Sequence, residues 1–221
     1  YHRAAAAHGR ARRDAGTAAR PRRGSDLLIK DLERLGNSKQ EPVPCKPVMA
    51  LCRCGGSANK PFCDGTHKKN GFSGTRLADG SADRRNAYRG KKITILDNRA
   101  ICAHAGHCTD GLAAVFKYGS EPWIDPDGAG IEAIIETIRK CPSGALSYAL
   151  EDVEQRHPVR EPAITVTKDG PYEVAGVRLT VESWGDGAST ERYTLCRCGG
   201  SANKPFCDGT HWSIGFSDDK K

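Results

Sequence analysis

Apolar residues in this chain come in short runs broken by glycine, proline and charge, and only two stretches carry a helical period. In DLLIKDLERL, Leu28, Ile29, Leu32 and Leu35 form one stripe, with Ser25 in front as a cap and Gly36 behind, so a short amphipathic helix is expected over 26–35. Ile131, Ile134, Ile135 and Ile138 repeat that spacing and predict a second helix over 131–140, ended abruptly by Cys141-Pro142. Strands are expected at 92–96, 145–149, 163–167, 172–175 and 177–182. Between them lie a proline-broken segment (41–47), a polar run (77–86) and a charged linker (151–161). No apolar run approaches the ~18 residues of a membrane-spanning helix, so no membrane association is expected.

Composition agrees with a loop-rich α+β chain of modest cores: 25 Gly and 12 Pro against 6% aromatic residues in 221. The net charge of +7 would suggest nucleic acid, but its location excludes that partner. Seven arginines (3, 10, 12, 13, 20, 22, 23) against the single acid Asp14 put nearly all of the charge in residues 1–24. That tail is expected to be disordered, with a targeting presequence as the alternative.

One pattern dominates the chemistry. The seventeen residues LCRCGGSANKPFCDGTH at Leu51–His67 recur unchanged at Leu195–His211, while the flanks differ apart from Gly71-Phe72 and Gly215-Phe216. Each copy carries three cysteines and one histidine. In Cys52-Arg53-Cys54 the i and i+2 side chains share a face about 6.6 Å apart in an extended chain. A slight bend brings the sulfurs to the ~3.8 Å that a tetrahedral metal requires, and Gly55-Gly56 lets the backbone turn there. Cys63 and His67, four apart, reach one metal from a helical turn whose free N–H groups are expected to lower the thiol pKa. Cys196, Cys198, Cys207 and His211 repeat the arrangement. Asp64 and Asp208, next to ligands, are read as acceptors supporting the site from behind. Three cysteines and one histidine also suit structural zinc, but C-x-C with C-x3-H favours two metals sharing bridging sulfides, two ligands per iron.

The motif C-R-C-G-G-S-A-N-K-P-F-C-D-G-T-H resembles the CDGSH (mitoNEET-like) iron-sulfur family, departing by Thr for Ser. The resemblance implies a 2Fe-2S cluster with Cys52 and Cys54 on one iron and Cys63 and His67 on the other. A second cluster would sit on Cys196, Cys198, Cys207 and His211. It also implies that the two β-rich modules pair as a pseudo-dimer within one chain. The single histidine makes a potential that falls with rising pH the expectation.

Between the copies, Cys102-Ala-His104-Ala105-Gly106-His107-Cys108 is followed 33 residues later by Cys141-Pro142-Ser143-Gly144-Ala145-Leu146. Bacterial ferredoxins place a ligand where Ala105 stands. With Val115-Phe116 and PWIDPD at 122–127, residues 88–150 resemble the divergent mono-cluster ferredoxin-like domain. That resemblance implies a 3Fe-4S cluster on Cys102, Cys108 and Cys141, or a 4Fe-4S cluster with His104 as fourth donor. Trp123 is read as packing, His107 as a polar loop residue, Cys45 as a spare thiol, and His2, His8 and His157 as solvated.

The expected organisation is a tail (1–24), a helix and linker (25–41), module one (42–82), the ferredoxin-like domain (83–150), a linker (151–161) and module two (162–221). Nine of ten cysteines fall in ligand-like groups, which points to a reducing, cytoplasmic setting, an organelle remaining open. The chain contains no phosphate loop, nucleophile motif or open catalytic metal site. Electron transfer or redox sensing is the expected function, in a monomer serving a redox protein. The alternatives are cluster storage and transfer to an apo acceptor protein, and a zinc-stabilised protein-binding scaffold.

Overall fold

A computed structural model describes residues 16–155 and 157–219. Twelve strands in this span form three four-stranded sheets. In the first, β1 (Ala18–Pro21), β2 (Leu27–Lys30) and β4 (Val48–Leu51) run antiparallel in the order β1-β2-β4. In the second, β9 (Ala163–Val166), β10 (Tyr172–Ala175) and β12 (Arg192–Leu195) do the same. The registers correspond: Leu27 faces Leu51, and Tyr172 faces Leu195, the equivalent leucine of the second repeat.

Each sheet is completed by a strand from the other half. β3 (Leu35–Asn37) pairs parallel with β9, and β11 (Arg178–Leu179) pairs parallel with β1. The intrachain pseudo-dimer is therefore built by reciprocal strand exchange around a shared core that includes Leu27, Ile29, Leu51, Ile164, Tyr172, Tyr193 and Leu195. Trp184 packs edge-on to Tyr193, 5.2 Å between centroids, and tilted against Phe206 at 5.4 Å.

Two expectations are corrected here. The helix expected over 26–35 is the hairpin partner β2 followed by β3. Leu27 and Ile29 alternate inward with period two, and Asp31 turns the chain at φ 53 before a helix could continue. Residues 16–24, assigned to a disordered tail, contain β1, whose Ala19 is fully buried, and Arg22 clasps Asp26 through two contacts of 2.5 Å. His2 and His8 lie outside the described residues.

The third sheet is an antiparallel meander of β5 (Asn86–Arg89), β6 (Thr94–Asp97), β7 (Leu146–Leu150) and β8 (Val153–Gln155). β8 falls in the segment read as a linker; Glu151 and Asp152, both at positive φ, make the tight turn that folds it back. A short helix, α1 (His107–Gly111), packs on α2 (Ile131–Arg139), which packs on β7, with Ile134 and Ile138 entering a core with Ile95, Phe116 and Ile124. Trp123 packs on Phe116 and Tyr88, with Arg99 stacked over its ring at 4.7 Å.

The meander is fastened to the second module. Buried Arg192 of β12 donates to the Ile138 carbonyl at 2.7 Å and to that of Arg139, adding donors at the C-terminal end of α2, where the Ile138 carbonyl also accepts from the Cys141 N–H. Arg192 also contacts His157 Nε2 at 3.2 Å. His157 is thus not solvated: burial, aided by Arg192 and Arg160, pushes its pKa down to about 4. Asn203 Nδ2 donates to the Ala100 carbonyl at 2.7 Å, adding a polar pin.

Candidate metal centres

In each module the repeated segment leaves the last strand of its sheet, loops out and returns against it. The Cys52 N–H donates to the Pro61 carbonyl and the Cys63 N–H to the Ala50 carbonyl, both at 2.8 Å; Cys196 and Cys207 do likewise with Pro205 and Thr194. The backbone ladder thereby delivers two cysteine-bearing stretches side by side. Ser57 Oγ and Ser201 Oγ close the loop on the carbonyls of Phe62 and Phe206 at 2.6 and 2.7 Å.

The candidate ligands converge in twos. Cys52 and Cys54 sulfurs are 3.8 Å apart, and Cys63 Sγ is 3.3 Å from His67 Nδ1. In the second copy the distances are 3.7 Å for Cys196 and Cys198, and 3.4 Å for Cys207 and His211 Nδ1. Among the described residues no group of three His, Cys, Asp or Glu side chains gathers where one ion could sit. Each pair brings two donors within 3.8 Å of each other.

Asp64 accepts from the Ala58 and Thr66 N–H groups at 2.8 and 3.0 Å. Asp208 accepts from those of Ala202 and Thr210 at 2.8 and 3.1 Å and from the Thr210 hydroxyl at 2.6 Å. The hydrogen bonds to Thr66 and Ala58 hold Asp64 below the usual carboxylate range. Gly65 and Gly209, at φ 87 and 85, turn the chain into the one-turn helices that carry the histidines, Thr66–Lys68 and α3 (Thr210–Ser213). Their N–H groups point at Cys63 and Cys207 Sγ, at 3.4 and 3.5 Å. Those contacts pull the thiol pKa down, but burial outweighs them, so that against expectation Cys63 is raised and Cys207 is pushed up to about 12. The C-x-C pairs share a proton across their short sulfur contact, so the first proton leaves readily and the second is held.

The two sites meet at the pseudo-twofold. A Cβ on Gly55 would lie 2.6 Å from the Cys198 carbonyl oxygen, and one on Gly199 would lie 2.9 Å from that of Cys54. Tyr172 of the second module donates to the Cys52 carbonyl at 2.8 Å. The sequence did not point to Gly170 or Arg197, and Ser25 was expected as a helix cap rather than a partner of His67. Ser25 Oγ lies 3.1 Å from His67 Nε2, while Gly170 occupies the same place in the equivalent turn of the second module. Arg197, 1% exposed, binds the carbonyls of Thr167 and Gly170, pairs with Asp218 and stacks on Phe216. The repeated R and F were visible, but the acid that completes the contact lies outside the repeat.

Cys102, Cys108 and Cys141 line one cleft of about 1090 Å³, together with His104, Arg99, Trp123 and, from the second module, Asp208, Gly209 and Trp212. Burial pushes Cys102 up to about 11 and raises Cys108, with Arg99 pulling both back. The His104 N–H donates to Cys102 Sγ at 3.4 Å, while the His104 ring packs against Gly209. His107 is exposed, and the Cys45 sulfur lies 3.7 Å from the Val43 carbonyl.

A family model for an iron-binding zinc finger of CDGSH type matches residues 25–68 and 169–212, and one for a divergent 4Fe-4S mono-cluster matches residues 88–151. The uncharacterized protein YjdI of Escherichia coli K12 and that of Escherichia coli O157:H7 are each 43% identical over 61 residues, 28% of this chain and 80% of theirs. No solved structure matches. The chain belongs to the CDGSH iron-binding family, with two CDGSH modules flanking a divergent 4Fe-4S mono-cluster domain. It is an iron-sulfur binding protein. Among the described residues no helix is long and apolar enough to cross a membrane.

Proposed function

We propose that this chain is an electron-transfer protein carrying two 2Fe-2S clusters and a third cluster of 3Fe-4S or 4Fe-4S type, serving a separate redox protein. The pairwise convergence of ligands carries the reading: Cys52 with Cys54 and Cys63 with His67 offer two donors to each of two metals. Zinc would need all four donors around one centre. The bound clusters supply one-electron chemistry. The protein's residues hold them, orient the histidines through Nδ1, and bury the sulfur ligands within hydrogen-bonded loops. The rigid ladder that presents these loops favours a carrier that retains its clusters over one that releases them.

Anaerobic purification followed by iron, sulfide and zinc quantification, with EPR of oxidised and reduced samples, tests this. Two reducible 2Fe-2S signals and a third distinct signal are expected; a 3Fe-4S centre is paramagnetic when oxidised. A colourless, zinc-loaded preparation would refute it. Rapid delivery of clusters to an apo acceptor on mild acidification would favour the storage and transfer reading instead.

A further inference from the structure

The two copies of the repeat are identical in sequence, yet their surroundings differ at one decisive place. At Gly65 of the first copy, a Cβ would meet nothing within 4 Å among the described residues. At Gly209 of the second, it would lie 2.4 Å from His104 Cδ2, because the ring of His104 is pressed onto that backbone. His104 is held there from both sides. It stands at φ 55, its N–H donates to Cys102 Sγ at 3.4 Å, and its carbonyl accepts from Trp212 Nε1 at 3.2 Å. Gly209 in turn donates its N–H to Cys207 Sγ at 3.5 Å. The sulfur of the three-cysteine site and a sulfur of the second repeat are thus linked, along one wall of the shared cleft, by two N–H···S contacts and the packing of the His104 ring on Gly209. From the second repeat the path continues, since Gly199 abuts the Cys54 carbonyl and Gly55 the Cys198 carbonyl.

From this connectivity we infer that the three sites form an ordered relay, middle site to second repeat to first repeat, in which His104 is the bridging residue between the first two stations. This rests on the electron-transfer reading above. In this relay His104 acts through its packing on Gly209 as a positioning residue, which commits the middle site to the three-cysteine alternative, a 3Fe-4S cluster on Cys102, Cys108 and Cys141. The step moves one electron: the reduced middle cluster is oxidised by one, the second-repeat cluster is reduced by one, and no bond is made or broken. An external one-electron donor and acceptor, each a redox protein or small viologen-type mediator, supply and remove it at the ends. The first repeat, whose Gly65 face is bare, is the terminal station.

The test uses the full chain, anaerobically prepared and oxidised, given substoichiometric reduced methyl viologen radical in a rapid-mixing spectrometer. After the bimolecular reduction, a phase independent of protein concentration is expected as the electron passes between the middle and second clusters. His104→Ala should slow that phase several-fold while iron and sulfide content and the middle cluster's EPR signal stay as in the parent. Trp212→Phe, which removes only the N–H anchoring the His104 carbonyl, should slow it less. Unchanged rates in both variants would overturn the bridge. Loss of iron or of the middle EPR signal in His104→Ala would make the residue a ligand and also overturn it. If the parent chain holds no third cluster, the quantification alone reveals it, and the proposed function fails rather than the bridge alone.

Discussion

At the residue scale the most exposed weakness is a buried acid. Asp97 closes β6 with 0% of its surface exposed and both carboxylate oxygens without a hydrogen-bond partner among the described residues. The Trp123 indole favours its anion slightly but stands outside hydrogen-bonding geometry. Burial, opposed only in part by Arg99, pushes its pKa up to about 6. The unfolded chain releases this proton near 3.8, so stability falls as pH rises from about 4 to 6 and stays reduced above that. The shift corresponds to an order of about 3 kcal/mol. Asp97→Asn is therefore expected to raise the melting temperature at pH 8 and leave it almost unchanged at pH 4; equal effects at both would contradict this origin. Ser25 offers a second test. Its hydroxyl fixes the outer nitrogen of His67, and such partners are worth about 10- to 100-fold in metal affinity. Ser25→Ala should accelerate chelator-driven loss of one cluster by about tenfold or more, followed by visible absorbance, with the other clusters unaffected.

At the scale of elements, the parallel pairings β3 with β9 and β11 with β1 are what make two modules one fold. Thr180, whose side chain is exposed, donates its N–H to the Ala19 carbonyl across that junction at 3.0 Å. Thr180→Pro removes this donor and should cost about 1–3 kcal/mol, whereas Thr180→Ala should cost little. Both modules should melt together in calorimetry, because each sheet contains a strand of the other. These exchanged strands also mark where sequence reading stops. Helix α2 was legible because four isoleucines at 131, 134, 135 and 138 encode it locally, and β9 and β10 were legible from their own runs. The segment 26–35 misled because Leu28, Ile29, Leu32 and Leu35 also satisfy a helical stripe, and only pairing with β1 and β4 decides for strand. β1 itself reads AARP, with nothing apolar enough to announce a strand, and it exists because its partners do. The ligand pairs could be grouped from C-x-C and C-x3-H spacing alone, since each pair is set within a few residues. Ser25 against His67, and His104 against Gly209, could not, because they depend on contacts 42 residues apart in the one case and between domains in the other.

For the whole molecule, docking of the middle domain onto the second module makes two identical motifs unequal. His211 is 5% exposed, and Cys207 is buried beneath the same contact, whereas His67 and Cys63 are only half-buried and a Cβ on Gly65 would meet none of the described residues within 4 Å. Under the proposed function each histidine holds iron, so loss of a cluster requires protons or chelator to reach it, and access sets the order. At mildly acidic pH with excess chelator, absorbance should decay in resolved phases, the first corresponding to a single CDGSH-type cluster. Ser25→Ala should quicken the fast phase alone. Gly209→Ala, which forces a side chain into a position of φ 85 and into the His104 ring, should quicken a slow phase and leave the fast one as it was. A single phase covering both CDGSH-type clusters would mean that the docked domain does not protect the site it covers. Resolved phases that each variant moves separately would mean that the duplicated motif has been divided by its surroundings into a shielded inner station and an accessible outer one.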